Sequence, residues 1–141
     1  RVLFRSVDLG ASPGSWTYVA AQRGARVTAV DRSALRADLM RHPRVTFQRG
    51  DAFTFAPAAP VDWLLCDVIA TPARSIELLL RWLRHRHARR FVVTIKFKGH
   101  GDYPQLDQLK ESLPTLCGEF FLTRLCANKN EACAFGAAAG S

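Results

Sequence analysis

In "VDLGASPGSW" (Val7–Trp16), apolar residues run into a small-residue turn and then into a helical pattern. Gly10 and Gly14 permit positive φ and close approach of another group to the backbone. Pro13 fixes its own φ and removes a donor, which stiffens the turn. Ser15 is placed to cap the next helix, whose free N–H groups favour a negative group nearby. Trp16 can cover such a turn or pack beneath it. A strand, tight turn and helix in this order open an α/β fold, where ligands collect beyond the carboxyl ends of the strands.

Outward from this turn, short apolar runs alternate with helical patterns. Val2–Asp8, Arg26–Asp31, Val45–Arg49, Val61–Cys66 and Phe91–Lys96 read as strands, and near-continuous apolar character predicts a parallel sheet covered on both faces. Ser15–Arg23, Ser33–Arg41, Pro72–His87 and Tyr103–Leu113 read as helices, the third with Pro72 in its first turn and Ile76, Leu79, Leu80 and Leu83 as one stripe. Glu119–Leu125 and Glu131–Ala137 read as strands joined by "ANKN", so the last strand should run antiparallel. The expectation is a doubly wound α/β domain with a mostly parallel seven-stranded sheet. "AFTFAPAAP" (Ala52–Pro60) reads as a loop, and the whole of 1–141 as one domain, cut from a longer protein.

Composition fits that class. At 48% hydrophobic and 23% charged residues the chain can build a core. No apolar run approaches the ~20 residues of a membrane span, and no signal-peptide pattern opens the chain. Cys66, Cys117, Cys126 and Cys133 lack metal-ligand spacing and read as buried free thiols of a cytoplasmic protein. His85 and His87 belong to no ligand set, so no metal is expected. The net charge of +8 points to a polyanionic partner, most often nucleic acid.

The acids carry the chemistry. The turn is not G-x-G-x-x-G and has no Walker lysine, so a glycine-rich turn alone is a weak signal. Asp31 closes the second strand, where a carboxylate can accept both hydroxyls of a ribose, as it also does in NAD enzymes. Asp51 follows the third strand and could take an adenine amino group; Asp67 ends the fourth. Each alone reads equally well as a turn cap. Together, at the strand ends of one sheet, they describe sites for ribose, adenine and a zwitterionic tail, the parts of S-adenosylmethionine.

"DLGASPGSW", "LLCDV" followed by "TPAR", "VVTIKFK" and "NKNEACAF" resemble the motifs of the FtsJ-type ribosomal RNA 2'-O-methyltransferases, most closely the RlmM branch, which modifies a cytidine of large-subunit (23S) rRNA. The resemblance runs from Val7 to Phe135. It implies a Rossmann-like S-adenosylmethionine-dependent methyltransferase fold, with S-adenosylmethionine as cofactor and ribosomal RNA as partner. It also implies cofactor contacts by Ser12, Pro13, Gly14, Ser15, Asp31, Asp51 and Asp67, with Trp16 beside them. The family's Lys-Asp-Lys-Glu catalytic set would fall on Asp67, Lys96 and Glu131. Its first lysine and its amino-terminal RNA-binding region would precede Arg1, and Ser15 stands where the family usually has glycine.

Methyl transfer to a ribose hydroxyl needs alignment and a proton acceptor. Lys96 is the candidate acceptor, with Asp67 and Glu131 orienting it and favouring the charge it gains. Lys98, His100, Lys129 and Arg32 are expected at the same rim as phosphate contacts. "RWLRHRHARR" (Arg81–Arg90) is expected some ~20 Å below, at the far end of its helix, complementing the helix terminus, with a second RNA contact as the alternative reading. Two other readings stand beside the enzyme: a non-catalytic RNA-binding or scaffold domain of the same fold, and an NAD-type dehydrogenase. A monomer is the working expectation, and no membrane partner is expected.

Overall fold

The computed structural model describes residues 3–98, 104–125 and 130–140. The strands are β1 (Phe4–Leu9), β2 (Ala25–Asp31), β3 (Val45–Arg49), β4 (Val61–Cys66), β5 (Ala88–Lys96), β6 (Cys117–Leu125) and β7 (Glu131–Ala138). The helices are α1 (Ser15–Gln22), α2 (Ala37–Met40), α3 (Pro72–Arg84) and α4 (Leu106–Leu116). The strands form one seven-stranded sheet in the order β3-β2-β1-β4-β5-β7-β6. β7 lies antiparallel between β5 and β6, while the other neighbouring pairs are parallel. Order reverses at β1 and β4, so their carboxyl ends flank the natural ligand crevice.

Side chains alternate across each strand, which splits the core in two. Val7, Leu9, Leu64, Cys66, Phe91, Val93 and Ile95 pack against the apolar stripe of α3 and against α4. On the other face Ala20, Ala21, Val27, Ala29, Leu35 and Leu39 pack α1 and α2 onto β2. Leu39 explains one glycine of the opening turn. A Cβ on Gly14, whose φ is +126°, would lie 2.2 Å from Leu39 Cδ1. Gly10, at φ +70°, is likewise pressed against Val68.

Three elements depart from expectation. α2 is a single turn rather than Ser33–Arg41, because hydrogen bonds hold the preceding segment extended. Ser33 N–H donates to Asp31 at 2.8 Å, Ser12 Oγ to the Ala34 carbonyl at 2.9 Å, and Arg36 N–H to the Pro13 carbonyl at 2.9 Å. α3 stops at Arg84, and β5 starts at Ala88 within the expected loop. Arg86 takes the left-handed conformation at φ 55°, while the N–H groups of Arg86 and His87 return to the Leu83 and Trp82 carbonyls and close the helix. α4 runs past Pro114 to Leu116, three residues beyond the expected end, although the proline supplies no N–H to the helix. Cys66, Cys117 and Cys133 are buried free thiols, and burial pushes Cys66 up to about 12 and Cys117 to about 11. Cys126, the "ANK" of the last turn, His100 and Lys129 lie outside the described residues.

Candidate active site

The first three acids gather at the crevice. Gly10, Ser12, Asp31, Asp51, Phe53, Asp67, Ile69 and Arg74 are among the residues lining a hollow of about 410 Å³ beyond the ends of β1, β2, β3 and β4. Its shape depends on the acids themselves. Asp31 accepts the N–H groups of Ser12 at 3.0 Å and Ser33 at 2.8 Å, tying the first turn to the second. Asp51 accepts the Phe53 N–H at 2.8 Å and pairs with Arg32 at 3.2 Å. That backbone hydrogen bond, aided by Arg32, holds the Asp51 carboxyl below the usual carboxylate range. Arg32, expected as a phosphate contact, is thus engaged inside the rim, although its side chain is 79% exposed. Arg74 lies over the Phe53 ring at 3.8 Å, and Ile69 stands almost fully exposed beside them.

The rest of the opening turn is arranged differently. Pro13 is exposed and Gly14 is buried under Leu39, outside the lining of the hollow. Ser15 does not cap α1. Gly14 is the N-cap, no side-chain bond closes that end, and the Gly14 carbonyl accepts the Tyr18 N–H at 2.8 Å. Only glycine takes the φ that this position requires, and Ser15 is already helical. Trp16 points down to the sheet, away from the acids. It lines a larger apolar cleft of about 690 Å³ with Phe4, Val19, Trp63, Leu65 and Val92. That cleft is a stretch of sheet face without a covering helix and carries no carboxylate.

Next to the acid hollow, β4, β5 and β7 bring the reactive groups together. Lys96 ends β5 directly opposite Glu131, the first residue of β7. Its Nζ hydrogen-bonds to Asp67 Oδ1 and lies 3.8 Å from Glu131 Oε1. Thr94, 4% exposed, completes the set. Its hydroxyl donates to Asp67 Oδ1 at 2.6 Å and accepts from Lys96 Nζ at 3.2 Å. Asp67, Lys96 and Glu131 are therefore one cluster, while Lys98 is exposed two residues further on.

Two participants escaped the sequence reading. Thr94 sits two residues before Lys96 and so on the same face of β5, a signal visible in the spacing. Asp8 is an acid inside an apolar strand, 1% exposed, accepting the Thr17 hydroxyl at 2.7 Å. Burial raises its pKa to about 7; the Thr17 hydrogen bond opposes the shift, and the charges of Asp67 and Asp31 add to it. Among the described residues, no group of three His, Cys, Asp or Glu could hold a metal ion.

The sequence and the fold both have matches among known proteins. The FtsJ-like methyltransferase family matches residues 3–116. A Pseudomonas fluorescens protein named ribosomal RNA large subunit methyltransferase M is 40% identical over 107 residues, 76% of this chain. The chain belongs to the FtsJ-like methyltransferase family. This FtsJ-like chain aligns with only 30% of the length of that relative. Among solved structures, a protein described as a ribosomal RNA methyltransferase from Plasmodium falciparum superposes with a TM-score of 0.71 at 16% identity, over 98% of this chain and 87% of that one. A Burkholderia thailandensis N1-methyltransferase, solved with 1,6-didemethyltoxoflavin and S-adenosylhomocysteine, gives 0.67 at 19% identity, over 97% and 71%. Likenesses at such identity establish the shared Rossmann-like methyltransferase fold.

Proposed function

We propose that this FtsJ-like chain carries the catalytic machinery of an S-adenosylmethionine-dependent RNA methyltransferase that modifies a ribose 2'-hydroxyl of large-subunit ribosomal RNA, a cytidine by resemblance, in the cytoplasm. The observation that carries the reading is Lys96, held by Asp67, Glu131 and Thr94 at the lip of a hollow bearing Asp31 and Asp51.

The residues present suit this cofactor. The hollow, at about 410 Å³, is within the range of small-molecule sites. Asp31 keeps free lone pairs for a diol, Asp51 and Phe53 lie on the side suited to a purine, and Asp67 faces the end suited to a cationic tail. When bound, S-adenosylmethionine supplies an electrophilic methyl group. The chain's own part is alignment and proton handling. Asp67, Thr94 and Glu131 fix the Lys96 amine at one point of the rim, where in its neutral form it receives the proton of the hydroxyl as the new oxygen–carbon bond forms and the methyl leaves the sulfonium. The two carboxylates then stabilise the ammonium so produced.

Titration calorimetry with S-adenosylmethionine, followed by single-turnover transfer of labelled methyl to rRNA fragments, tests the proposal. Binding that weakens at least tenfold in Asp31→Ala, and transfer to RNA but not to DNA of the same sequence, are the expected results. Transfer to DNA as fast as to RNA would exclude the ribose hydroxyl as acceptor. Tight NAD binding without S-adenosylmethionine binding would point to the dehydrogenase reading instead.

A further inference from the structure

We propose that the amino-terminal edge of the sheet, opposite Lys96, is a second RNA-binding surface that grips phosphates. The segments by which the chain enters the parallel strands carry "RGAR" (Arg23–Arg26) across the start of β2, "RHPR" (Arg41–Arg44) before β3 and "RHRHARR" (Arg84–Arg90) from the end of α3 into β5, with Arg5 near the start of β1. These hold nine arginines, and the acids at the same edge are Asp62 and Glu119. The rest of the sequence contains eleven Lys or Arg against ten Asp or Glu, so almost the whole net charge of +8 belongs to this edge. Except for half-buried Arg44, all nine arginines are exposed.

Simpler explanations account for part of them. Complementing a helix C-terminus covers Arg84 in the last turn of α3 and Arg23 and Arg41, the C-cap residues of α1 and α2, and leaves Arg5, Arg26, Arg44, Arg86, Arg89 and Arg90. Among the described residues the one ion pair at this edge is Arg89 with Asp62, at 3.7 Å. Arg44 donates to the Ala21 carbonyl at 3.2 Å, and Arg90 lies over the Trp63 ring at 6.0 Å. Those contacts fix direction without cancelling charge.

The layout fits a phosphate backbone. In the order β3-β2-β1-β4-β5, four strand spacings of ~4.8 Å spread the three basic turns and Arg5 along about 19 Å of edge. All nine residues are arginine, whose planar fork matches phosphate oxygens and keeps its charge at any physiological pH. The helices set the edge some ~20 Å from the catalytic rim. RNA that places one ribose at Lys96 has flanking strands long enough to reach it. The choice of RNA as partner rests on the proposed activity; the surface itself does not.

The test uses the 141-residue chain and a labelled stem-loop of large-subunit rRNA, with affinity measured by fluorescence anisotropy across a salt series. The variant Arg26→Gln, Arg41→Gln, Arg84→Gln removes one charge from each basic turn. Its RNA affinity should fall tenfold or more near physiological salt, and the slope of log affinity against log salt should shrink by about two. Its S-adenosylmethionine affinity should match the parent, and its melting temperature should fall by no more than a few degrees, the worth of two charges at helix ends. Unchanged RNA affinity and slope would overturn the inference, and so would equal binding of the parent to polyglutamate or to phosphatidylserine vesicles. A chain that binds RNA through these arginines but never binds S-adenosylmethionine would sink the proposed enzyme and leave this surface standing.

Discussion

The two rims of the one sheet hold charge in opposite ways. At the carboxyl rim Asp31, Asp51, Asp67 and Glu131 meet Arg32, Lys96 and backbone N–H groups at hydrogen-bonding or ion-pair distance. At the amino rim, among the described residues, the arginines stand apart with a single acid paired among them. Paired, half-buried charges are directional and hold a reacting atom in place. Unpaired, solvated charges act at longer range and are screened by salt. The same fold thus separates a precise site from a diffuse grip by the length of its helices.

The comparison breaks first at Lys96. Lys96→Ala should cut single-turnover methyl transfer by about 10²- to 10⁴-fold, the usual worth of a proton-transfer group, with cofactor affinity little changed. Full activity would mean that the paired cluster only holds the sheet edge together.

Next comes Asp8. Its folded pKa of about 7 lies above the ordinary 3.8, so the folded chain binds the proton more tightly than the unfolded chain. The stability this confers is complete below about pH 4, declines as pH rises and is gone above about pH 7, a span of up to roughly 4 kcal/mol. Denaturant melts of Asp8→Asn between pH 5 and 8 should show a flatter profile than the parent. An identical slope in both proteins would clear Asp8 of this role.

Asp31→Ala should weaken S-adenosylmethionine binding by about 1.5–3 kcal/mol, the range for a charged hydrogen-bonding group, read by calorimetry. It should also loosen the turn, since Ser12 and Ser33 lose their shared acceptor. The smallest effect belongs to Thr94. Thr94→Val should slow methyl transfer about tenfold, a single hydrogen bond's worth, while Thr94→Ser restores the rate and neither alters cofactor affinity. Serine failing to rescue would make the threonine a packing residue.

Much of this was legible in the chain itself. Apolar runs alternating with helical stripes place the parallel strands within one to three residues, because burial on both faces leaves a local mark. Asp31, Asp51, Asp67 and Lys96 were readable as strand-end groups for the same reason. The α2 segment was not, since Asp31, Ser12 and Pro13 hold it extended through bonds that span the fold. Nor was Ser15's lost cap, which depends on Gly14 taking a φ of 126° as N-cap so that Ser15 is already helical.

By itself, then, the order of residues determined the alternation of strands and helices, the acids at the strand ends and the sign and size of the net charge, all properties of neighbours along the chain. Tertiary structure alone decided that β7 would slot between β5 and β6, setting Glu131 across from Lys96, and that Thr94 would join Asp67 to the amine. It also turned Trp16 away from the acids and gathered three separate basic turns on one edge. Such contacts join residues far apart in sequence, and their energies depend on which strands become neighbours, information that no local window contains.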